Sequence, residues 1–528
     1  MSPRHSGIMV PLFSLRSSAS WGIGEFADLP LFAEWARAAR QALVQILPIT
    51  EVPIAETSPY SALTAMALDP IYIRLALVDE FVALGGESAL SSTEREELEG
   101  VRAAPRVGYA AIRGLKDRAL RRAYDRFREN AAHAREPETR PDRQDRFEAF
   151  ARESAAWLDE YALFQALRSR HQLLPWWDWP HPLKDREDAA LREAREQLAH
   201  EIGFRKYVQW IASEQWTAAR RAAAPTLIFG DVPFMISADS PDVWTRQAEF
   251  RFDATVGVPP DAFSKTGQDW GLPPWRWEVM AGNDFEWMRQ RARRTADLFD
   301  GFRLDHLIGL YRTYVRPTDK SIEHFFAPAD QPTQLRLGET LVAIYRDTGA
   351  AIIAEDLGIV PEFVRESLRG MRVPGFSVMR WERQWAEPGK PYIDPAEYAE
   401  LSVATTGTHD TEPLVCWWES LSVDEQRGIL ELPSVRRHLP EGARPLDAIV
   451  AALLHARSQL AILPIQDVFG WPVRINTPAV IQAENWSWML PWPVDRLGEI
   501  PEARERAAAL ARWTTEAGRA RGARKAGG

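Results

Sequence analysis

Short apolar runs that close on polar residues recur along the chain. They are IMVPL (8–12), ALVQILPI (42–49), TLIFGDV (226–232), GFRLDH (301–306), AIIAED (351–356), FSVMRW (376–381), SVATTGTHD (402–410) and LAILPIQD (460–467). Runs that are apolar without alternation suit parallel strands buried on both faces. Segments with helical period lie between most of them. FADLPLFAEWARAARQ (26–41), for example, repeats apolar residues at three- and four-residue steps. Eight strands alternating with helices is the count of an α/β TIM barrel, (β/α)8. A doubly wound open sheet is the competing architecture, and the count of eight favours the barrel.

The spacing of the runs divides the chain. Residues 1–75 carry strands one and two. Residues 76–225 are too many for a single crossover and are charged and helical in period, as in LKDRALRRAYDRFREN (115–130) and EDAALREAREQLAHEIGF (187–204). They are expected to form an inserted helical subdomain, with a polar loop over 135–146. Its charge runs suit solvated helix faces. Residues 226–515 complete the barrel. Within them 257–271, rich in Gly, Pro and aromatic residues, has no helical period and is expected to form a lid. Residues 516–528, small and basic, are expected to form a disordered tail.

Composition narrows the function. The 528 residues carry 64 Lys+Arg against 74 Asp+Glu, a net charge of −10, which argues against nucleic acid or an anionic membrane as partner. One cysteine, Cys416, excludes an internal disulfide and any multi-thiolate metal site. No apolar stretch has transmembrane length, and Pro11 interrupts the apolar N-terminal run, so a cytoplasmic protein without a signal peptide is expected. The 22 Trp suit either a large core or stacking on sugar rings, and the core is the commoner use.

Barrel enzymes place their chemistry at the C-terminal ends of the strands. Those ends carry Asp231, Asp305 beside His306, Glu355 and, beyond strand seven, His409 and Asp410. A single Asp after a strand is commonly the N-cap of the next helix. Several carboxylates on one rim are costlier, because buried like charges repel and lose solvation. A pair of acids about 5 Å apart performs retaining glycoside chemistry, one as nucleophile and one as proton donor. No metal-ligand spacing is present among the ten His and no Gly-rich phosphate loop follows strand seven or eight. GIGEFA (22–27) imitates a dinucleotide fingerprint but lies too far beyond its strand. No metal and no cofactor are expected.

In order along the chain come SWGIGEFADL (20–29), SPYSALTAMALDP (58–70), LIFGDVPFMISADS (227–240), GVPPDAFSKTGQDWG (257–271), GFRLDHLIG (301–309), AIIAEDLG (351–358), ATTGTHDT (404–411) and RINTPAVIQAENWSW (474–488). Together they resemble the amylomaltase (disproportionating enzyme) type of 4-α-glucanotransferase, glycoside hydrolase family 77, related to the α-amylase clan. The resemblance implies a TIM barrel and transfer of α-1,4-glucan segments to a sugar 4-hydroxyl, with maltooligosaccharides and α-glucans as partners. It implies Asp305 as nucleophile, Glu355 as general acid/base and Asp410 as the third acid. Arg303 would hold Asp305 ionised, His409 and Asn476 would contact substrate, and Tyr60 would be an aromatic platform. Phe263, Gln268 and Trp270 would lie on the covering loop, with Asp231 near the site. A monomer or weak homo-oligomer is expected.

The chain departs from the family pattern at Ala479 after the Pro of RINTP, at Met489 where Arg is common, in HDTEP after the third acid, and in a short 466–474 loop. These bear on acceptor preference and chain length. The enzymatic rival is an α-glucan hydrolase of the same clan, and the non-enzymatic rival is an inactive maltodextrin-binding protein. Trp176, Trp177 and Trp179 in LLPWWDWP resemble a family element and are read mainly as packing.

Overall fold

A computed structural model describes residues 4–133, 142–260, 267–478, 480 and 482–520. Each of the eight apolar runs contributes a strand: β1 (His5–Met9), β2 (Leu43–Gln45), β3 (Leu227–Val232), β4 (Gly301–Leu304), β5 (Ala351–Ala354), β6 (Gly375–Val378), β7 (Ser402–Thr405) and β8 (Leu460–Pro464). All neighbours are parallel, in the order β6-β7-β8-β1-β2-β3-β4-β5. The two outer strands approach each other: Ala354 N–H donates to Pro374 O at 2.9 Å, and Phe376 N–H donates to Asp356 Oδ1 at 2.8 Å. The sheet is therefore a nearly closed TIM barrel, and the open doubly wound alternative falls because its edges would not meet.

Apolar pattern fixes the strands less well at their ends. β1 begins at His5, three residues before the apolar run, because Ser6 and Gly7 are buried in the barrel wall. β4 and β7 stop at Leu304 and Thr405, short of the acids they carry. Close packing inside the barrel needs a glycine at 301, where an added Cβ would stand 2.6 Å from the Phe229 ring. Most of the tryptophan is core: Trp21, Trp210, Trp216, Trp244 and Trp287 are fully buried.

The stretch between β2 and β3 is helical, ending in the long helix Ala199–Ala223. That helix packs beside the barrel helix Leu29–Ala38 and buries Trp216 against Phe26 and Phe299. Of the polar loop expected over 135–146, residues 142–146 are helical instead. A helix already starts at Asp142, where Asp142 and Asp145 favour the N-terminal end, and Arg143 reaches Glu80 at 2.7 Å. Residues 134–141 lie outside the described part.

A second sheet was not anticipated. Strands Gln268–Leu272, Ala254–Val258, Thr313–Pro317 and Phe325–Ala327 form an antiparallel sheet in that order. Both flanks of the expected lid are thus paired strands. At the C-terminal end Arg519 is fully buried, donating to Leu454 O and His5 O at 2.5 and 2.9 Å. Arg519, beyond the expected boundary at 516, is thus packed into the fold, and residues 521–528 lie outside the described part.

Candidate active site

Register brings the acids together. Asp231 on β3 pairs with Arg303 on β4, and Leu304 pairs with Ala354 on β5. The ladder continues one step past the strands: Asp305 N–H donates to Val232 O at 3.1 Å and Glu355 N–H to Leu304 O at 3.0 Å. Asp305 and Glu355 therefore leave neighbouring strands at the same level.

Arg303, 4% exposed, organises them. Its Nη1 donates to Asp231 Oδ2 at 2.7 Å. Its Nη2 lies 2.9 Å from Asp305 Oδ1 and 4.0 Å from Glu355 Oε2. These two oxygens are therefore within about 7 Å of each other. Glu355 is anchored from a second side, since His306 N–H donates to its Oε2 at 2.7 Å. Burial, together with the Asp305 charge and against Arg303, pushes Glu355 up to about 7. Burial also pushes Asp231 up, against the pull of Arg303.

Asp410 sits in a different environment. Burial opposes its charge, but His409 and Asn476 hold it down at about 2. His409 Nε2 lies 3.1 Å from Asp410 Oδ2, and Asn476 Nδ2 donates to Asp410 Oδ1 at 2.6 Å. For His409 the same Asp410 charge outweighs burial and raises its protonation range. Two carboxyls at one rim thus titrate far apart, which is how one site keeps an acid and an anion at the same pH.

Tyr60 joins the two halves. Its hydroxyl donates to Asp231 Oδ2 at 2.9 Å, and its ring stacks on His409 at 5.0 Å and 16°. Trp270 meets the His306 ring edge-on at 4.9 Å and 83°, so the hairpin covers the residue next to Asp305. Gln268 accepts the Trp270 indole N–H at its Oε1, 3.4 Å away. Phe263 lies outside the described residues, as does Ala479.

Three residues with a part in the site carried no assignment in the sequence. His306 adopts a left-handed backbone, φ 42°, a conformation unfavourable for a side-chain-bearing residue. Its imidazole is pushed down to about 4 by burial and is neutral near pH 7. Trp486 packs on Tyr60 and His409, both at 5.7 Å. Arg474 donates to the Asp410 carbonyl at 2.6 Å. Each lies inside a quoted motif, so proximity to RLDH, RINTP and ENWSW was the available signal. Met489, the departure from the usual Arg, is buried in the core. A cavity of about 830 Å³ is lined by Arg143, Trp210 and Glu214, and none of the rim acids lines it. No group of three metal-ligating side chains occurs among the described residues, and no described helix is long and apolar enough to cross a membrane.

Comparison with known proteins identifies the family. A family profile described as 4-alpha-glucanotransferase (Glyco_hydro_77) matches residues 10–494. A 4-alpha-glucanotransferase of Thermus thermophilus is 30% identical, with 96% of this chain and 99% of that one covered. One from Chlamydia caviae is 29% identical over 94% and 92%. The solved amylomaltase from Streptococcus agalactiae in complex with acarbose superposes with a TM-score of 0.82 at 25% identity, covering 98% of this chain and all of that one. With the barrel, the convergent acids and these relatives in agreement, the chain belongs to the 4-alpha-glucanotransferases of glycoside hydrolase family 77.

Proposed function

We propose that the site transfers α-1,4-glucan segments by a retaining double displacement in which Asp305 is the nucleophile and Glu355 the proton donor. Asp305 Oδ attacks the anomeric carbon and forms a glycosyl ester. The bond to the leaving 4-oxygen breaks as Glu355 gives that oxygen its proton. The 4-hydroxyl of an acceptor then attacks the ester, returns its proton to Glu355 and frees Asp305. Asp410, held ionised, binds ring hydroxyls and favours the distorted transition-state ring. Tyr60 and Asn476 position the sugar, and Arg303 keeps Asp305 ionised and aimed.

The observation that carries this reading is the bridge at Arg303: one guanidinium nitrogen holds Asp305 at 2.9 Å and sits 4.0 Å from a Glu355 that titrates at about 7. Two carboxyl oxygens within about 7 Å of each other leave room for the retaining arrangement of about 5 Å. Transfer wins over hydrolysis when water is excluded and the acceptor is positioned, a task suited to the 257–271 hairpin through Trp270. A monomer or weak homo-oligomer in the cytoplasm, acting on maltooligosaccharides and α-glucans, completes this reading.

Incubation with maltotriose tests the proposal. Transfer gives glucose plus a ladder of longer maltooligosaccharides; formation of shorter sugars alone would instead mark a hydrolase. Glu355→Gln should remove turnover and keep glucan binding. A wild-type protein equally inert would favour the binding-protein reading.

A further inference from the structure

Two large aromatic rings outside the set of site residues stand in solvent. Trp177 is 41% exposed and Phe252 50% exposed. Both meet the buried ring of Trp176 edge-on, with centroids 5.7 and 5.8 Å away. They flank one indole and so lie within about 12 Å of each other.

Both are held firmly. Trp176 donates its indole N–H to Ala238 O at 2.8 Å and its main-chain N–H to Asp239 Oδ1 at 3.2 Å. Arg168 clamps the same Asp239 at 3.1 Å. Around Phe252, Arg251 N–H donates to Pro274 O at 2.8 Å and Thr318 N–H to Asp253 O at 2.9 Å. Scattered exposed hydrophobic residues need no explanation. Here the anchoring is already complete through Trp176, so exposing two more rings beside it adds nothing to the fold.

The patch is connected to the catalytic rim along the chain. Ala238 and Asp239 lie on the segment leaving β3 just beyond Asp231, and the same segment carries Phe234, which touches the His306 ring at 5.5 Å. Phe252 precedes strand Ala254–Val258 of the hairpin that brings Trp270 onto His306. Polar groups border the rings: the Trp177 indole N–H has no partner among the described residues, Asp178 is exposed, and Asp253 is open to solvent beside Arg251 at 2.8 Å. An apolar face bordered by donors and acceptors suits a sugar chain, whose rings carry C–H faces edged by hydroxyls, better than a protein core or lipid.

We propose that Trp177 and Phe252 form an outer binding site for an α-1,4-glucan chain, holding roughly two to three glucose units at a distance from the bond being exchanged. The choice of ligand rests on the glucanotransferase reading. The site adds grip on long donors and acceptors and contributes nothing to the shortest ones.

The test compares wild type with Trp177→Ala, Phe252→Ala and the double variant; both side chains are exposed, and thermal unfolding verifies folding. Retardation in native gels containing amylose, and KM for amylose, should each weaken about five-fold in the double variant, while kcat/KM for maltotriose stays within about two-fold. Unchanged retardation and KM would overturn the proposal. So would an equal loss on maltotriose, which would place the rings in the catalytic cleft, or a shift to a smaller species in size-exclusion chromatography, which would make the patch an interface between copies. If the wild type failed to disproportionate maltotriose, the functional reading would fall, whereas gel retardation would still report on the rings.

Discussion

The titration of Glu355 offers the sharpest test of the site. A proton donor must be protonated, so kcat/KM should fall as pH rises through about 7, the value at which burial and the Asp305 charge hold Glu355. Replacing Asp305 by Asn removes that charge. With the two oxygens within about 7 Å, an effective dielectric of about 20 gives an interaction of about 2 kcal/mol, or roughly one and a half pH units. Glu355 should therefore titrate well below about 7 in Asp305→Asn. The sign follows from the charges: a neighbouring anion favours the neutral carboxyl, so its loss favours the ionised one. Formation of the glycosyl ester consumes the same charge, which turns the acid of the first half-reaction into the base of the second. Infrared difference titration of the protonated carboxyl band, with Glu355→Gln to assign it, measures both values. A wild-type Glu355 at its ordinary value, or an upward move in Asp305→Asn, would refute the electrostatic account.

Other expectations are simpler to measure. Asp410 titrates below its ordinary range, so it stabilises the fold above that range and the contribution disappears as pH falls towards about 2. His409→Gln should move the acid-unfolding midpoint to higher pH, followed by circular dichroism. Trp270→Ala uncovers His306 and should raise the ratio of hydrolysis, read as net new reducing ends, to transfer from maltotriose; an unchanged ratio would remove the hairpin from the exclusion of water. Gly301→Ala would push a methyl to within 2.6 Å of the Phe229 ring and should cost about 1–3 kcal/mol in denaturant unfolding. Asp410→Asn should lower kcat on maltotriose by about a hundred-fold or more while leaving KM nearly unchanged, if it acts chiefly in the transition state.

The barrel was legible because parallel strands buried on both faces leave an unmistakable run of apolar residues, and all eight runs became strands. The second sheet was not. Thr313–Pro317 buries alternate residues only, Phe325–Ala327 is three residues long, and Gln268–Leu272 contains a glycine with positive φ. Short strands with one covered face and broken propensity carry too little pattern. The acids were legible because their positions follow from the strand ends. The parts played by His306, Trp486 and Arg474 come from a backbone angle, ring contacts and a carbonyl contact, none of which residue type encodes.

The anchoring of Glu355 by the peptide nitrogen of His306 has an effect on how the enzyme tolerates change. Main-chain hydrogens survive every replacement but proline, so ordinary codon changes at 306 alter the imidazole and its strain while the donor to the carboxylate persists. Glycine there would even relax the backbone. The grip on Glu355 is thus insulated from side-chain drift, and the neighbouring position is left free to vary with the loop that covers it.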